Sequence, residues 1–289
     1  MNHPAELAVY SYLQRAMKGE TDMAEDIREQ VANDVKAALQ KQFGGPPRDE
    51  FKLRMSNIGK PKCQLWFEKN DPEDKTPLPP HFLMNMIIGD IVEAVFKGLL
   101  RAADISFTDN EKVTLTLPDG TEINGEFDMV LDGAVDDVKS ASPWSYQNKF
   151  ASSAALAEGD SFGYIAQLVG YSRAAGKRMG GWWVVNKANG EFKYVPAEGI
   201  DEEAVLSDIQ DTVSYINEDK PFERCFEAVE ETHYRKPTGN KKLCVECSFC
   251  SYKHKCWPNL QTRTAVMSTA KNPPEVDYVE LAPEFSTDG

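Results

Sequence analysis

Apolar residues recur at helical spacing from the start of the chain: Leu7, Tyr10, Leu13 and Met17, then Ile27, Val31, Val35 and Leu39. This predicts helices over roughly the first 45 residues, ended by Gly44-Gly45-Pro46-Pro47. A second helical stripe, Met84, Ile87, Ile88, Ile91, Val95, Leu99 and Leu100, lies within residues 81–103. The period then changes from helix to strand. Val113, Leu115 and Leu117 alternate with polar residues, Pro118-Asp119-Gly120 turns the chain, and Ile123, Gly125, Phe127, Met129 and Leu131 alternate again. Asp132-Gly133 is a hairpin dipeptide, and the next strand ends in Val138-Lys139-Ser140. Three antiparallel strands in succession are therefore expected. A helix over about 160–175, a buried strand at 182–186, a strand at 192–195 and a helix over about 201–217 follow. Beyond Trp257 the periodicity stops, and residues 258–289 read as a mobile tail.

Hydrophobic residues make up 41% of the 289-residue chain, enough for a sizeable core. No apolar run is long enough to span a bilayer, and the N-terminus lacks the basic and apolar regions of a secretion signal, so a cytoplasmic location and no membrane partner are expected. The net charge of −14 is a mild argument against nucleic acid as a partner. Much of the acid is concentrated between Asp201 and Glu231, however, and basic clusters occur elsewhere, at Arg173, Lys177 and Arg178 and at Lys253-His254-Lys255. The six cysteines are Cys63, Cys225, Cys244, Cys247, Cys250 and Cys256. In a cytosolic chain they read as metal ligands before disulfides.

The stretch from Gly125 to Ser140 carries the chemistry. Strand alternation puts Asp137 and Lys139 on one face and Val138 on the other, and the Asp132-Gly133 turn can bring Asp128 beside Asp137. Two carboxylates and an ammonium around one point suit a hard divalent cation and a water that attacks phosphorus. Glu93 lies near the apolar stripe of its helix, and Gln167 and Tyr171 stack four residues apart on another. Taken alone, each of these fits an ordinary amphipathic helix.

The order Gly89-x3-Glu93, Gly125-x2-Asp128, Asp137-x-Lys139, Gln167-x3-Tyr171, bracketed by Cys63 and Cys247-x2-Cys250-x5-Cys256, resembles the PD-(D/E)XK nucleases. Within them it is similar to the RecB-like branch with an iron–sulfur cluster, which includes AddB-type recombination nucleases, CRISPR-adaptation nucleases and related phage exonucleases. The resemblance covers about residues 51–257. It implies an α/β fold with a restriction-endonuclease-like core, a central mixed sheet flanked by helices, preceded by an N-terminal helical extension over 1–50. It implies that Asp128, Asp137 and the Val138 backbone carbonyl bind Mg²⁺ or Mn²⁺. Glu93 joins them as a third oxygen ligand, where many RecB-like members have histidine. The resemblance makes Lys139 the group that orients water and steadies the developing phosphorane charge, with Gln167 and Tyr171 supporting the lysine and the DNA backbone.

The same resemblance makes Cys63, Cys247, Cys250 and Cys256 the ligands of a [4Fe–4S] cluster that staples distant parts of the domain together. A Zn²⁺ site built from Cys244, Cys247, Cys250 and Cys256 is the alternative, and Cys225 reads as a small core residue. The expected activity is exonucleolytic hydrolysis of DNA, on single-stranded ends, in phage or mobile-element replication or recombination. No P-loop is present, so unwinding falls to a helicase or recombination partner. The rival readings are a non-catalytic iron–sulfur DNA-binding subunit and an endonuclease of the same superfamily.

Overall fold

The computed structural model describes residues 3–44 and 51–285. Helices α1 (Pro4–Met17), α2 (Glu25–Phe43), α3 (Lys62–Asn70) and α4 (Pro80–Ala102) come first. Strands β1 (Phe107–Thr108), β2 (Glu111–Thr116), β3 (Glu122–Phe127), β4 (Met129–Leu131) and β5 (Ala134–Ala141) follow. Short helices α5 (Pro143–Gln147) and α6 (Ser153–Ala157) lead to α7 (Tyr164–Ala175), β6 (Arg178–Asn186), β7 (Phe192–Pro196) and α8 (Glu202–Asn217). The remainder holds β8 (Val229–His233), β9 (Lys236–Lys242), α9 (Val245–Ser248), α10 (Lys253–Cys256), β10 (Gln261–Thr264) and β11 (Glu275–Glu280). Among the described residues no helix is long and apolar enough to cross a membrane.

The chain divides into two compact units, Met1–Gly59 with Pro79–Val213, and Lys60–Leu78 with Ser214–Gly289. This differs from the single domain expected over 51–257. The motifs run in order along the chain, but the segment 60–78 leaves the first unit and packs with residues more than a hundred positions later.

The first unit is α/β, built on a mixed five-stranded sheet in the order β1-β4-β5-β6-β7. All its pairings are antiparallel except β5 with β6, which the α5–α7 crossover joins in parallel. Alternation along β5 and β6 feeds two cores. Val135, Trp182 and Val184 pack with Leu168, Ile209 and Val213 on one face, and Val138 and Trp183 pack with Phe96, Leu100, Ala5 and Val9 on the other. The N-terminal helices are thus part of this unit. Gly98 lets α2 come close, since a Cβ there would overlap the Val31 side chain. Of the expected linker, Gly45, Pro46 and Pro47 lie outside the described residues.

The expected run of three antiparallel strands is corrected. β2 and β3 form a separate two-stranded ribbon, and the chain bends at Asp128 before β4 enters the central sheet. The bend holds because the Asp128 carboxylate folds back to accept the Val138 backbone N–H at 2.7 Å, a bond a continuous strand would not make. The Asp132-Gly133 turn is as expected, both residues having positive φ (51° and 75°).

The second unit carries a four-stranded sheet in the order β10-β11-β9-β8. The mobile tail expected over 258–289 is therefore corrected for its larger part: β10 and β11 are paired strands, and Tyr278 is 1% exposed. Residues 286–289 lie outside the described residues. Glu231 ties this sheet together, accepting from Asn240 Nδ2 (2.8 Å), Tyr278 OH (2.8 Å) and Thr238 Oγ1 (3.1 Å). Burial alone would raise its pKa, but the three hydrogen bonds win and hold it below the ordinary value.

Because the folded-state pKa of Glu231 is depressed, its contribution to stability is complete above the ordinary carboxylate pKa and is lost as pH falls through the folded value. Glu231→Ala, which strands Asn240 and Tyr278, should cost about 2–3 kcal/mol at neutral pH in urea titrations. The difference from wild type should shrink when the titrations are repeated near about pH 3. A difference that does not change with pH would contradict this account.

Candidate active site

Four separate elements of the first unit deliver side chains to one open cleft: α4, the bend after β3, the middle of β5, and α7. From β5, Asp137 and Lys139 point to the α7 side, as alternation requires, while Val138 turns to the α4 side. Asp137 is 3% exposed, and its Oδ2 meets Lys139 Nζ at 2.5 Å. Among the described residues that oxygen accepts no other hydrogen bond. Asp128 reaches Asp137 from the bend, and the two carboxyls lie close enough to act on each other directly. Two carboxylates keep such a contact only with a proton or a cation between them.

The electrostatics state the same demand. Burial, then the charge of Asp137, pushes the Asp128 carboxyl up to about 7, and burial also raises Asp137. Glu93 is raised by burial and then by Asp128. Burial opposes the charge on Lys139, but Asp137 and Asp128 outweigh it and hold the ammonium protonated. Lys139 can therefore donate and orient; it is not placed to act as a base.

α7 supports the lysine. Gln167 Oε1 accepts from Lys139 Nζ at 3.2 Å, Tyr171 stands one turn further along the same helix, and the Tyr164 ring lies 4.9 Å from the ammonium. Asp160 fixes the start of this helix by accepting from the backbone of Tyr164 and Ile165 at 2.9 and 2.8 Å. The structure thus brings Glu93, Asp128, Asp137, Lys139, Gln167 and Tyr171 to one place. Gly125 explains itself physically: a Cβ there would overlap Met55 and lie 2.6 Å from the Tyr171 ring. The absent side chain lets the segment carrying Met55 and the helix carrying Tyr171 both close on β3.

Sequence reasoning missed three residues here. Lys97, 3% exposed, bridges Glu93 at 2.8 Å and Asp109 at 3.1 Å, and Arg101 also pairs with Asp109. Its position four residues after Glu93 was a readable signal. Tyr164 stands three before Gln167, on the same helix face. Asp136 accepts from Gly181 N, Trp183 Nε1 and Tyr194 OH at 2.8, 3.1 and 2.9 Å, which makes it a structural carboxylate on the other side of the sheet.

In the second unit, Cys63, Cys225, Cys247, Cys250 and Cys256 line one cavity with Phe67, Phe226 and Trp257. No three thiols come within 4.8 Å of one another among the described residues; the one acidic or thiol group that does converge so tightly is Asp71, Glu73 and Asp74. Cys244, three residues before Cys247, is outside the cavity lining. Cys225 is half-buried and accepts the Cys63 N–H at its Sγ, 3.0 Å away, so the expectation of a plain core residue gives way to a place in the cavity wall.

Gly125→Ala should lower the urea midpoint by an amount equivalent to about 1–3 kcal/mol, the range for overpacking. Gly159→Ala, where a Cβ meets open space, should leave the midpoint nearly unchanged. Equal midpoints for the two variants would overturn the close-approach account.

No known family's sequence profile matches the chain, and no curated protein matches it. Among solved structures, the chain is similar to one titled "Crystal structure of SSO0001", at 12% identity and a TM-score of 0.42, covering 76% of this chain and 93% of that one.

Proposed function

We propose that this chain is a divalent-metal-dependent deoxyribonuclease with a restriction-endonuclease-like core, acting as an exonuclease on single-stranded DNA ends. The observation that carries the reading is the Asp128–Asp137 contact beside Lys139. Three carboxylates, with Glu93, face two ammoniums, Lys139 and Lys97, and one buried carboxylate oxygen has no partner but the lysine. The donor set is all oxygen and the local charge is negative, which fits Mg²⁺ or Mn²⁺. Asp128, Asp137 and the Val138 carbonyl would hold the ion, with Glu93 beside them; the ion would offset phosphate charge and lower the pKa of a water. The order of motifs, similar to that of RecB-like nucleases, points the same way.

The protein's own part is positioning and charge. Lys139 stays an ammonium, steered by Gln167, and is placed to steady charge that develops on a phosphate oxygen. Lys97 pairs with Glu93 at 2.8 Å and opposes the rise that burial gives the Glu93 pKa. The cleft is open, and its volume of about 1150 Å³ lies just above the range of small-molecule pockets, which leaves room for a polymer to pass through it. Lys52, Arg54 and Lys112 line it without an acidic partner among the described residues, although the chain carries −14 overall. Arg54 is set there by the docking of its segment on β3, where Met55 N donates to Asn124 O at 2.9 Å. We read these three as contacts to a phosphodiester backbone.

The second unit's cavity fits an iron–sulfur cluster better than zinc. A single zinc ion gathers its thiolates tightly, at about 2.3 Å from the metal, while a four-iron cluster spreads them wider. Cys63, Cys247, Cys250 and Cys256 would hold it and tie α3 to the loop around α9 and α10. The reading extends to a phage or mobile-element role with a helicase or recombination partner, on the motif resemblance alone.

Labelled linear single-stranded DNA should be degraded only with Mg²⁺ or Mn²⁺, and Asp137→Asn and Lys139→Ala should each lower the rate by about 10²–10³-fold or more. Activity equal in wild type and Asp137→Asn, or indifferent to chelator, would end the nuclease claim. No activity in any of them would favour a DNA-binding subunit. Circular single-stranded DNA should survive; its cleavage would mean an endonuclease.

Binding of single-stranded DNA without catalytic metal, followed by anisotropy against salt, should weaken in the Lys52→Ala/Arg54→Ala/Lys112→Ala variant. The slope of log affinity against log salt should fall by about 2, near 0.7 for each lost phosphate contact. An unchanged slope would remove these residues from the DNA path.

A further inference from the structure

The cavity of the second unit holds one thiol more than a four-iron cluster uses. Four of them match the expected ligand set; the fifth, Cys225, is fixed against that set from two sides. On one side Cys63, near the start of α3, donates its backbone N–H to Cys225 Sγ at 3.0 Å, and both side chains line the same cavity. The Cys225 sulfur therefore occupies the amide-lined start of a nine-residue helix. On the other side its neighbour Arg224 donates to the Cys256 carbonyl at 2.7 Å and lies 3.8 Å over the Trp257 ring. Cys225 is thus pinned between two expected ligands. It also sits in a segment of no regular secondary structure between α8 and β8, where a small backbone shift breaks no helix or strand ladder.

We infer that Cys225 is a second, interchangeable ligand for the cluster position assigned to Cys63. The inference rests on the iron–sulfur reading proposed above. The exchange moves no electrons. The Cys225 thiol gives up its proton as its sulfur binds iron, and the departing Cys63 thiolate takes one up. A cluster with two adjacent thiols at one corner keeps a fourth ligand when α3 is displaced or Cys63 is modified, which a four-cysteine set cannot do.

The test uses the full chain purified without oxygen, with iron, acid-labile sulfide and visible absorbance measured per chain. Cys63→Ala and Cys225→Ala should each keep more than about half of the wild-type iron and sulfide, and Cys63→Ala/Cys225→Ala should lose nearly all of both. Cys63→Ala/Cys244→Ala should keep its iron, which separates Cys225 from Cys244 as the substitute and stands even if the first double variant fails to fold. Wild type loaded with iron while Cys63→Ala is as empty as the double variant would overturn this inference and leave the cluster reading intact, as would iron retained in the double variant. A colourless wild type with stoichiometric zinc would overturn the cluster reading itself, and this inference with it.

Discussion

Asp128 and Asp137 touch where the sheet bends, both are buried, and Lys139 is pressed against one of them. Such a contact is costly: burial strips water from both carboxyls and raises both, and the charge of Asp137 raises Asp128 further. It persists because the surrounding structure over-determines it. Asp137 is carried on β5 between two partner strands, and Asp128 is held by the Val138 amide. Gly125 leaves room for Met55 and Tyr171 to pack behind them. The arrangement sets three carboxylates, Glu93, Asp128 and Asp137, against two ammoniums, Lys97 and Lys139.

The rest of the first unit serves that contact. α4 adds Glu93 and the buried Lys97 that steadies it; α7 adds Gln167, Tyr164 and Tyr171 around the lysine. Trp182 and Trp183, both fully buried and facing opposite sides of β6, anchor the two cores between which β5 is gripped. The second unit uses a different strategy. Its apolar cluster around Leu243, Cys247 and Trp257 is small, and its order comes from a hydrogen-bonded carboxylate, Glu231, and from a cavity of thiols. Small cores of this kind commonly gain stability from a bound metal or cluster.

Several features could be read directly from the residues. The alternation that separates Asp137 and Lys139 from Val138, the turn at Asp132-Gly133, and the four-residue stacking of Gln167 and Tyr171 all follow from the fixed periods of strand and helix. The α/β class and the helices packed on a mixed sheet follow from the same periods. Local rules were enough because each of these features depends on neighbours within a few residues.

Other features depended on contacts between residues far apart in the chain, which no local period encodes. The bend at Asp128 exists because Val138, ten residues later, supplies an amide. Lys97 is buried because Asp109 comes round to meet it, and Cys225 is a cavity thiol because α3 returns beside it. The strands beyond Trp257 were hidden because their partner β9 lies earlier in the chain and their alternation is short. The sequence by itself determined which residues could carry the chemistry and which faces they occupy. Only the tertiary structure decided which of them meet, because burial and pairing of charge are settled by what the rest of the chain brings alongside.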